Sequence, residues 1–352
     1  MKKLMAYGLS FLMALTCLTG CGGGEQADLR VAVGKDTENL DPAIVDDSVT
    51  ANILAQVYDG LYKLDTDGNV LPNIATDMPE ISEDGLTYTI KMRGDTKWSD
   101  GKPVKASDFV YAWKRAVTTG GYYTQFIWQY ITGTSHMVKN KKTGVEEDTP
   151  FTKMSELKDF GAVALDDTTI QITLKAKCSY FTSLLTNTVF YPIREDYLKE
   201  NAKDGDITDS NWGNNDDVPY NGPFKVTSVN TKDEVFMVKN EEFYNAKEVS
   251  LNSISFKVMA DMDSQTSAFD SGDIDFATSC NIDTINAKDT LKKQSWKIDP
   301  FVCNYYILVN AGDENTNEVL KDPDIRNAIG LSINRKDVLE VLNYGDNAYE
   351  LS

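Results

Sequence analysis

The chain has 352 residues and a single histidine, His136. Histidine is the commonest general base and metal ligand, so histidine-based triads and metal sites lack their raw material. No G-x-S-x-G elbow and no H-E-x-x-H pair is present, which leaves a surface hydrolase without a nucleophile and base. Basic residues are scarce too: 35 Lys and Arg face 54 Asp and Glu, for a formal charge of −19. That balance excludes a nucleic-acid partner, which needs a basic face, and electrostatic docking to anionic lipid. Cys178, Cys280 and Cys303 are too widely spaced for a zinc pattern. Being odd in number, they leave at least one thiol unpaired within this chain in an oxidising exterior. Beyond the first 20 residues no apolar run approaches a membrane span. No internal repeat occurs. What remains is 41% hydrophobic, enough for ordinary cores and too much for a disordered chain, in a length that allows about two domains. The expectation is a binder without a cofactor rather than an enzyme.

The N-terminus reads as a processing signal. Lys2 and Lys3 form a positive start, and Leu4 to Leu18 is an uncharged apolar run too short to span comfortably. Leu18-Thr19-Gly20-Cys21 resembles the bacterial lipobox, whose cysteine is lipidated and becomes residue one after cleavage. The alternative is a plain secretory signal that happens to end in cysteine. The lipobox reading makes residues 1–20 a signal peptide, Cys21 the lipid attachment site and 21–28, with Gly22 to Gly24, a flexible tether. Loss of Lys2 and Lys3 takes the formal charge from −19 to −21. The mature protein is expected on the extracytoplasmic face of the cell membrane, held there by acyl chains.

Along the chain, Leu29 to Val33 predicts a strand, and Asp47 and Ser48 offer an N-cap to a helix running to about Asp59. Asp67-Gly68 and Asp100-Gly101 predict turns. Leu86, Tyr88, Ile90 and Met92 alternate as in a half-buried strand, as do Ile170, Ile172 and Leu174 after an Asp166-Asp167 turn. Ser107 is expected to cap a helix whose core face is Phe109, Val110, Trp113, Ala116 and Val117. The stretch from Thr132 to Lys142 is polar, which leaves His136 solvated. Asn221-Gly222-Pro223 breaks the chain. Strands follow at Phe224–Val229, Val235–Val238 and Ile254–Val258, then a helix from about Asp261 to Ser271, stopped by Gly272. Phe301 to Val309 predicts a long strand, and Asp322 and Asn334 open two last helices. Strands and helices mix without regular alternation, as in an α/β protein with more than one sheet.

These residues carry a resemblance. Asp84 to Ala116, reading DGLTYTIKMRGDTKWSDGKPVKASDFVYAWKRA, is similar to the signature of bacterial extracellular solute-binding proteins of the oligopeptide-binding type. So are Leu40-Asp41-Pro42 and Tyr58-Asp59-Gly60-Leu61 before it. After it come Asn221-Gly222-Pro223-Phe224, Ser271-Gly272-Asp273-Ile274-Asp275, Asp299-Pro300-Phe301, Cys303 with Tyr305-Tyr306, and Asp324-Ile325-Arg326. The order holds from about Leu29 to Tyr344.

The resemblance implies a periplasmic-binding-protein-like α/β fold of the type II, flytrap kind, two-lobed and with an extra domain. Residues 29–58 and 193–300 would form the first lobe, 59–192 the extra domain, and 301–352 the start of a second lobe that is mostly missing. It also implies the substrate-binding lipoprotein of an ABC importer, with an oligopeptide ligand and ABC permease subunits as partners. A binder indifferent to peptide sequence must grip the backbone and termini, leaving side chains in wet pockets.

Carried over position by position, the ligand-binding candidates are Asp46, Ser48, Tyr123, Asn187, Ser279, Cys280, Phe301, Cys303, Tyr305 and Tyr306. Each has a plainer alternative: Asp46 as a helix cap, one of Tyr305 and Tyr306 in the core, and Asp273 and Asp275 closing a turn. Leu308 stands where some relatives carry glutamate. The acid that holds the ligand's amino terminus and the disulfide partner of Cys303 would lie beyond Ser352. Other readings are a nickel chelate, haem or oligosaccharide as the solute, or a surface sensor using the same fold.

Overall fold

The computed structural model describes residues 27–37, 39–142, 144–201, 212, 217–230, 232–288, 291, 307–312 and 317–342. The chain divides into two compact units, 1–291 and 292–352.

In the first unit, β1 (Leu29–Val33) sits inside a five-stranded sheet. Its neighbours are β12 (Ser253–Val258) and β13 (Phe276–Ala277), both parallel to it. β11 (Glu234–Lys239) and β10 (Phe224–Asn230) extend the β12 side antiparallel. Val31, Ala32 and Val33 are all buried, as expected of a strand paired on both sides with parallel neighbours. The helix Met262–Ser271 links β12 to β13, capped by Asp261 and stopped at Gly272 with φ 81°, a left-handed conformation that glycine adopts without a Cβ clash.

A second, wholly antiparallel sheet has the order β4 (Glu80–Ile81), β5 (Thr87–Lys91), β9 (Thr169–Thr173), β8 (Ala162–Asp166). Tyr88 and Ile90 on β5 and Ile170 and Ile172 on β9 are buried, alternating with partly exposed neighbours. This is the period-two pattern of a sheet with one wet face. The helix Ala106–Thr119 brings Phe109, Trp113, Ala116 and Val117 into the same core. The buried indoles of Trp113 and Trp98 are satisfied: Trp113 Nε1 donates to the Phe190 carbonyl at 3.0 Å, and Trp98 Nε1 to Asp108 Oδ2 at 3.0 Å. Two hairpins complete the unit, β2 (Tyr62–Leu64) with β3 (Val70–Pro72), and β6 (Ser135–Lys139) with β7 (Glu146–Pro150).

His136 is exposed, as expected of its polar stretch; it lies on β6, and the imidazole stacks on Phe151 with centroids 4.9 Å apart. Two expectations need correction. Ser107 lies inside the helix Ala106–Thr119; Lys105 is its N-cap, and Asp108 Oδ2 accepts the Lys105 N–H at 2.9 Å. Of the strand expected from Phe301 to Val309, residues 307–309 have no regular structure and the rest lies outside the described residues. In the second unit, Asp322 caps the helix Pro323–Ser332, and Arg335–Leu342 follows.

Candidate functional site

The helix Ser48–Val57, called α1 here, organises the site. Asp47 caps it, accepting the Thr50 N–H at 2.9 Å and the Thr50 hydroxyl at 2.8 Å. Thr50, Ile53, Leu54 and Val57 are its buried face. Ser48, Asn52 and Ala55, at i, i+4 and i+7, are left exposed on the other. The segment entering α1 is fixed from below: both Asp41 carboxylate oxygens accept from the Arg115 guanidinium, at 2.9 and 2.6 Å, and neither side chain is exposed. Gly121 packs on that segment so tightly that a Cβ would lie 2.1 Å from the Ala43 carbonyl oxygen.

The exit of α1 is fastened as firmly. Gly222 N–H donates to the Val57 carbonyl at 2.9 Å. The Asn221 amide grips the Asp59 peptide from both sides, accepting its N–H at 3.2 Å and donating to its carbonyl at 2.9 Å. The Asn-Gly-Pro breaker is therefore the fastening of the α1 exit as well as a turn.

The exposed face of α1 forms part of the wall of a hollow of about 710 Å³. Ser48, Tyr123 and Asn187, drawn from three separate segments, line it together. Tyr123 stacks on Phe126, centroids 5.6 Å apart. Asn187 Oδ1 accepts the Val189 N–H at 3.1 Å, which fixes the side chain at the start of a short 3-10 turn, Thr188–Phe190. Asp46 is exposed and does not line the hollow; its neighbour Asp47 does, and Asp47, not Asp46, is the helix cap. Ser279 and Cys280 lie after β13, away from the hollow's lining; the Ser279 N–H donates to Gln265 Oε1 at 3.0 Å. Cys280 and Cys178 are free thiols. Cys21, Phe301, Cys303, Tyr305 and Tyr306 lie outside the described residues. Asp275 makes a two-pronged ion pair with Arg30, at 2.9 and 2.8 Å, rather than serving the site.

Two acids line the hollow, and they differ. Burial alone would raise the Asp47 pKa, but the hydrogen bonds from Thr50 and the Lys35 ammonium at 3.3 Å hold it below the usual carboxylate value. Asp59 is the reverse. Burial raises it above that value, although Asn73, Lys63, Tyr244 and Arg93 all act to lower it. Its Oδ2 is buried with no hydrogen-bond partner. Tyr58, Tyr62 and Tyr191 add aromatic wall, and burial raises the pKa of each phenol. The lining offers small polar groups, aromatic residues and two acids, a set suited to binding. Among the described residues no three His, Cys, Asp or Glu side chains converge as a metal site. Asn52, Ala55, Asp59 and Tyr191 were absent from the sequence candidates. The signal for Asn52 and Ala55 was the helical period from Ser48; Asp59, past the helix end, and Tyr191 gave no such signal.

Residues 69–352 match the model of the bacterial extracellular solute-binding proteins, family 5 middle region. The chain belongs to that family. Within it, this family 5 chain is 29% identical to a dipeptide-binding protein of Lactococcus lactis over 99% of its length, and 27% identical to the oligopeptide-binding protein OppA of Bacillus subtilis over 98%. It spans 62% of the length of each of these relatives. Among solved structures, it matches the substrate-binding domain of an oligopeptide ABC transporter from Bacillus anthracis with a TM-score of 0.70 at 27% identity. That match covers 89% of this chain and 56% of the other. Listeria monocytogenes OppA bound to peptide matches with a TM-score of 0.58 at 28% identity, over 72% of this chain and 46% of that one. The mixed α/β fold is thus that of part of an oligopeptide-binding protein. Membership of a solute-binding family, with relatives named for what they bind, answers the expectation of a binder rather than an enzyme.

Proposed function

We propose that this chain is the substrate-binding lipoprotein of an ABC importer that captures extracellular oligopeptides. The ligand is held chiefly by its backbone, and the closed, loaded form is the one the permease subunits recognise. The observation that carries this reading is the convergence of Ser48, Tyr123 and Asn187 on one hollow. Its volume of about 710 Å³ falls within the roughly 300–1,000 Å³ usual for ligand sites. Relatives and solved structures described as peptide binders support it further.

On this reading the five-stranded sheet belongs to a first lobe of residues 29–58 and 193–300, and the four-stranded sheet to an extra domain of residues 59–192. The strands of each sheet fall within those ranges, which favours the division. Residues from 301 on begin the second lobe of a flytrap. Cys21 carries the lipid that holds the protein on the outer face of the cell membrane.

The test is nuclear magnetic resonance mapping on the isotope-labelled chain with mixed short peptides. Saturable shifts at Ser48, Tyr123 and Asn187 are expected. Shifts confined to residues outside the hollow, or none with peptide but strong ones with an oligosaccharide or metal chelate, would overturn the reading.

A further inference from the structure

Three of the residues lining the hollow carry an ionisable charge, and two of them are engaged within the protein. Asp47 is bonded by Thr50 and paired with Lys35 at 3.3 Å. Asp59 has a buried Oδ2, and Asn73 and Tyr244 bond its carboxyl. The third is Lys63, on β2. It is exposed, and among the described residues it makes no ion pair and no hydrogen bond. Its charge acts on Asp59, itself a lining residue, so the ammonium stands by the hollow rather than away from it. That is unusual in a chain where acids outnumber bases 54 to 35. Lys35, Lys91, Lys97 and Lys102 each hold a carboxylate. Lys63, the one basic residue among the described lining, holds none.

We propose that Lys63 takes a carboxylate of the bound ligand. The assignment rests on the peptide reading above and adds to it a charge preference at the β2 side of the hollow. The preference opposes the sign of the whole chain. The formal charge of −19 repels an acidic ligand at a distance, but salt screens that field beyond about 8 Å. Inside the hollow the nearest unpaired charge decides, and it is positive. An ammonium is a compact charge with three rotatable donors, so it accepts a carboxylate from a range of directions. Tolerance of direction suits a site that must take peptides of differing sequence. An exposed ion pair is a modest one, so the preference is a few-fold and leaves the backbone as the chief grip. The carboxylate is either the ligand's carboxyl terminus or an acidic side chain.

The experiment compares three proteins: the unaltered chain, Lys63→Gln and Lys141→Gln. Lys141 is exposed in the β6–β7 turn and does not line the hollow, so its variant removes the same charge from the global field only. Calorimetry is run with a glutamate-containing peptide, its glutamine analogue, and the C-amidated form of each. Lys63→Gln is expected to weaken carboxylate-bearing peptides by about two- to five-fold, and Lys141→Gln to leave them unchanged. The amidated glutamine peptide should bind the unaltered chain and Lys63→Gln alike. Raised salt should shrink the Lys63 effect. Lys63→Glu should go further and turn the preference toward the uncharged peptide, an outcome that loss of packing alone would not produce. Whichever change, amidation or glutamine, removes the Lys63 dependence identifies the source of the carboxylate.

Equal behaviour of Lys63→Gln and Lys141→Gln toward carboxylate-bearing peptides overturns the assignment while leaving the peptide reading intact. If the unaltered chain binds no peptide, the peptide reading fails, and a second titration decides the site. Its probes are 3-phenylpropionate, whose ring suits the Tyr58, Tyr62 and Tyr191 wall, and the corresponding amide, both followed at the Lys63 side-chain resonances. A saturable shift with the acid and none with the amide is expected, and equal responses refute the carboxylate site.

Discussion

Replacing Arg115 by methionine should be among the most damaging single changes in the first unit. Arg115 and Asp41 are fully buried, and the pair closes through two bonds of 2.9 and 2.6 Å. Burial by itself would lower the Arg115 pKa, but the Asp41 charge and hydrogen bonds outweigh it and raise it. At about 4 Å between charges and an effective dielectric of about 20, the attraction is about 4 kcal/mol. Most of it is spent against desolvation of both ions, so the pair as a whole adds little to stability. Removing one partner is different, because the other charge stays buried and unanswered, at a cost of about 3–5 kcal/mol. Asp41→Asn should cost less than Arg115→Met, since the asparagine oxygen can still accept the Ala43 N–H. The double variant should cost at least about 1 kcal/mol less than the sum of the singles, the signature of a coupled pair. Urea unfolding of all four proteins measures this. Because Asp41 holds the segment entering α1, native-state hydrogen exchange should also show the Ser48–Val57 amides opening more easily in Arg115→Met. Additive costs, or a loss below about 1 kcal/mol for Arg115→Met, would refute the reasoning.

Two further outcomes concern pH and processing. Burial pushes the Asp108 carboxyl up to about 6, against the Lys105 N–H, the Trp98 indole and the Arg194 charge, with Asp196 also raising it. A raised acid binds its proton more tightly folded than unfolded, so it favours the native state below its unfolded pKa and loses that contribution as pH rises through about 6. Asp108→Asn should therefore gain on the unaltered chain, by roughly 2–2.5 kcal/mol between pH 4 and pH 7. A stability difference between the two that does not change with pH would contradict this. At lower pH the Arg194 guanidinium, which holds the Asp196 pKa below the usual carboxylate value, works the other way, and stability is lost as Asp196 protonates. Separately, mass spectrometry of membrane-extracted protein should find a diacylglyceryl group on Cys21; an unmodified Cys21 in membrane-retained protein would exclude the lipoprotein reading.

Local signals carried most of the fold. The Asp47 cap, the Gly272 stop and the alternation at Tyr88 and Ile90 each depend on a few adjacent residues, and each appears where the sequence places it. Non-local pairing was hidden. β13 is two residues long and exists because Val31 and Ala32 accept it as a parallel neighbour. The β6–β7 hairpin pairs Lys139 with Glu146 and His136 with Thr149 across an exposed ribbon, so no apolar alternation announces it. Ser107 misled because serine is the better cap by type, whereas Asp108 reaches back to the Lys105 N–H and moves the helix start.

Ser48, Tyr123 and Asn187 were named through the family pattern; that they line one hollow was not legible in the sequence. Asp59 was legible as part of a motif. That its oxygen lacks a partner depends on where Asn221, Asn73 and Tyr244 bring their groups, which only the folded chain reveals.

The central claim is that the hollow beside α1 holds a peptide by its backbone. The most direct test pairs a short peptide with the same peptide N-methylated along its backbone, both followed at the amide and side-chain resonances of Ser48, Tyr123 and Asn187. Methylation removes N–H donors and leaves side chains unchanged, so the shifts should collapse and affinity fall by more than any single side-chain swap produces, with such swaps staying within about ten-fold, 1.4 kcal/mol. Equal binding of the methylated and parent peptides at these residues would contradict the account.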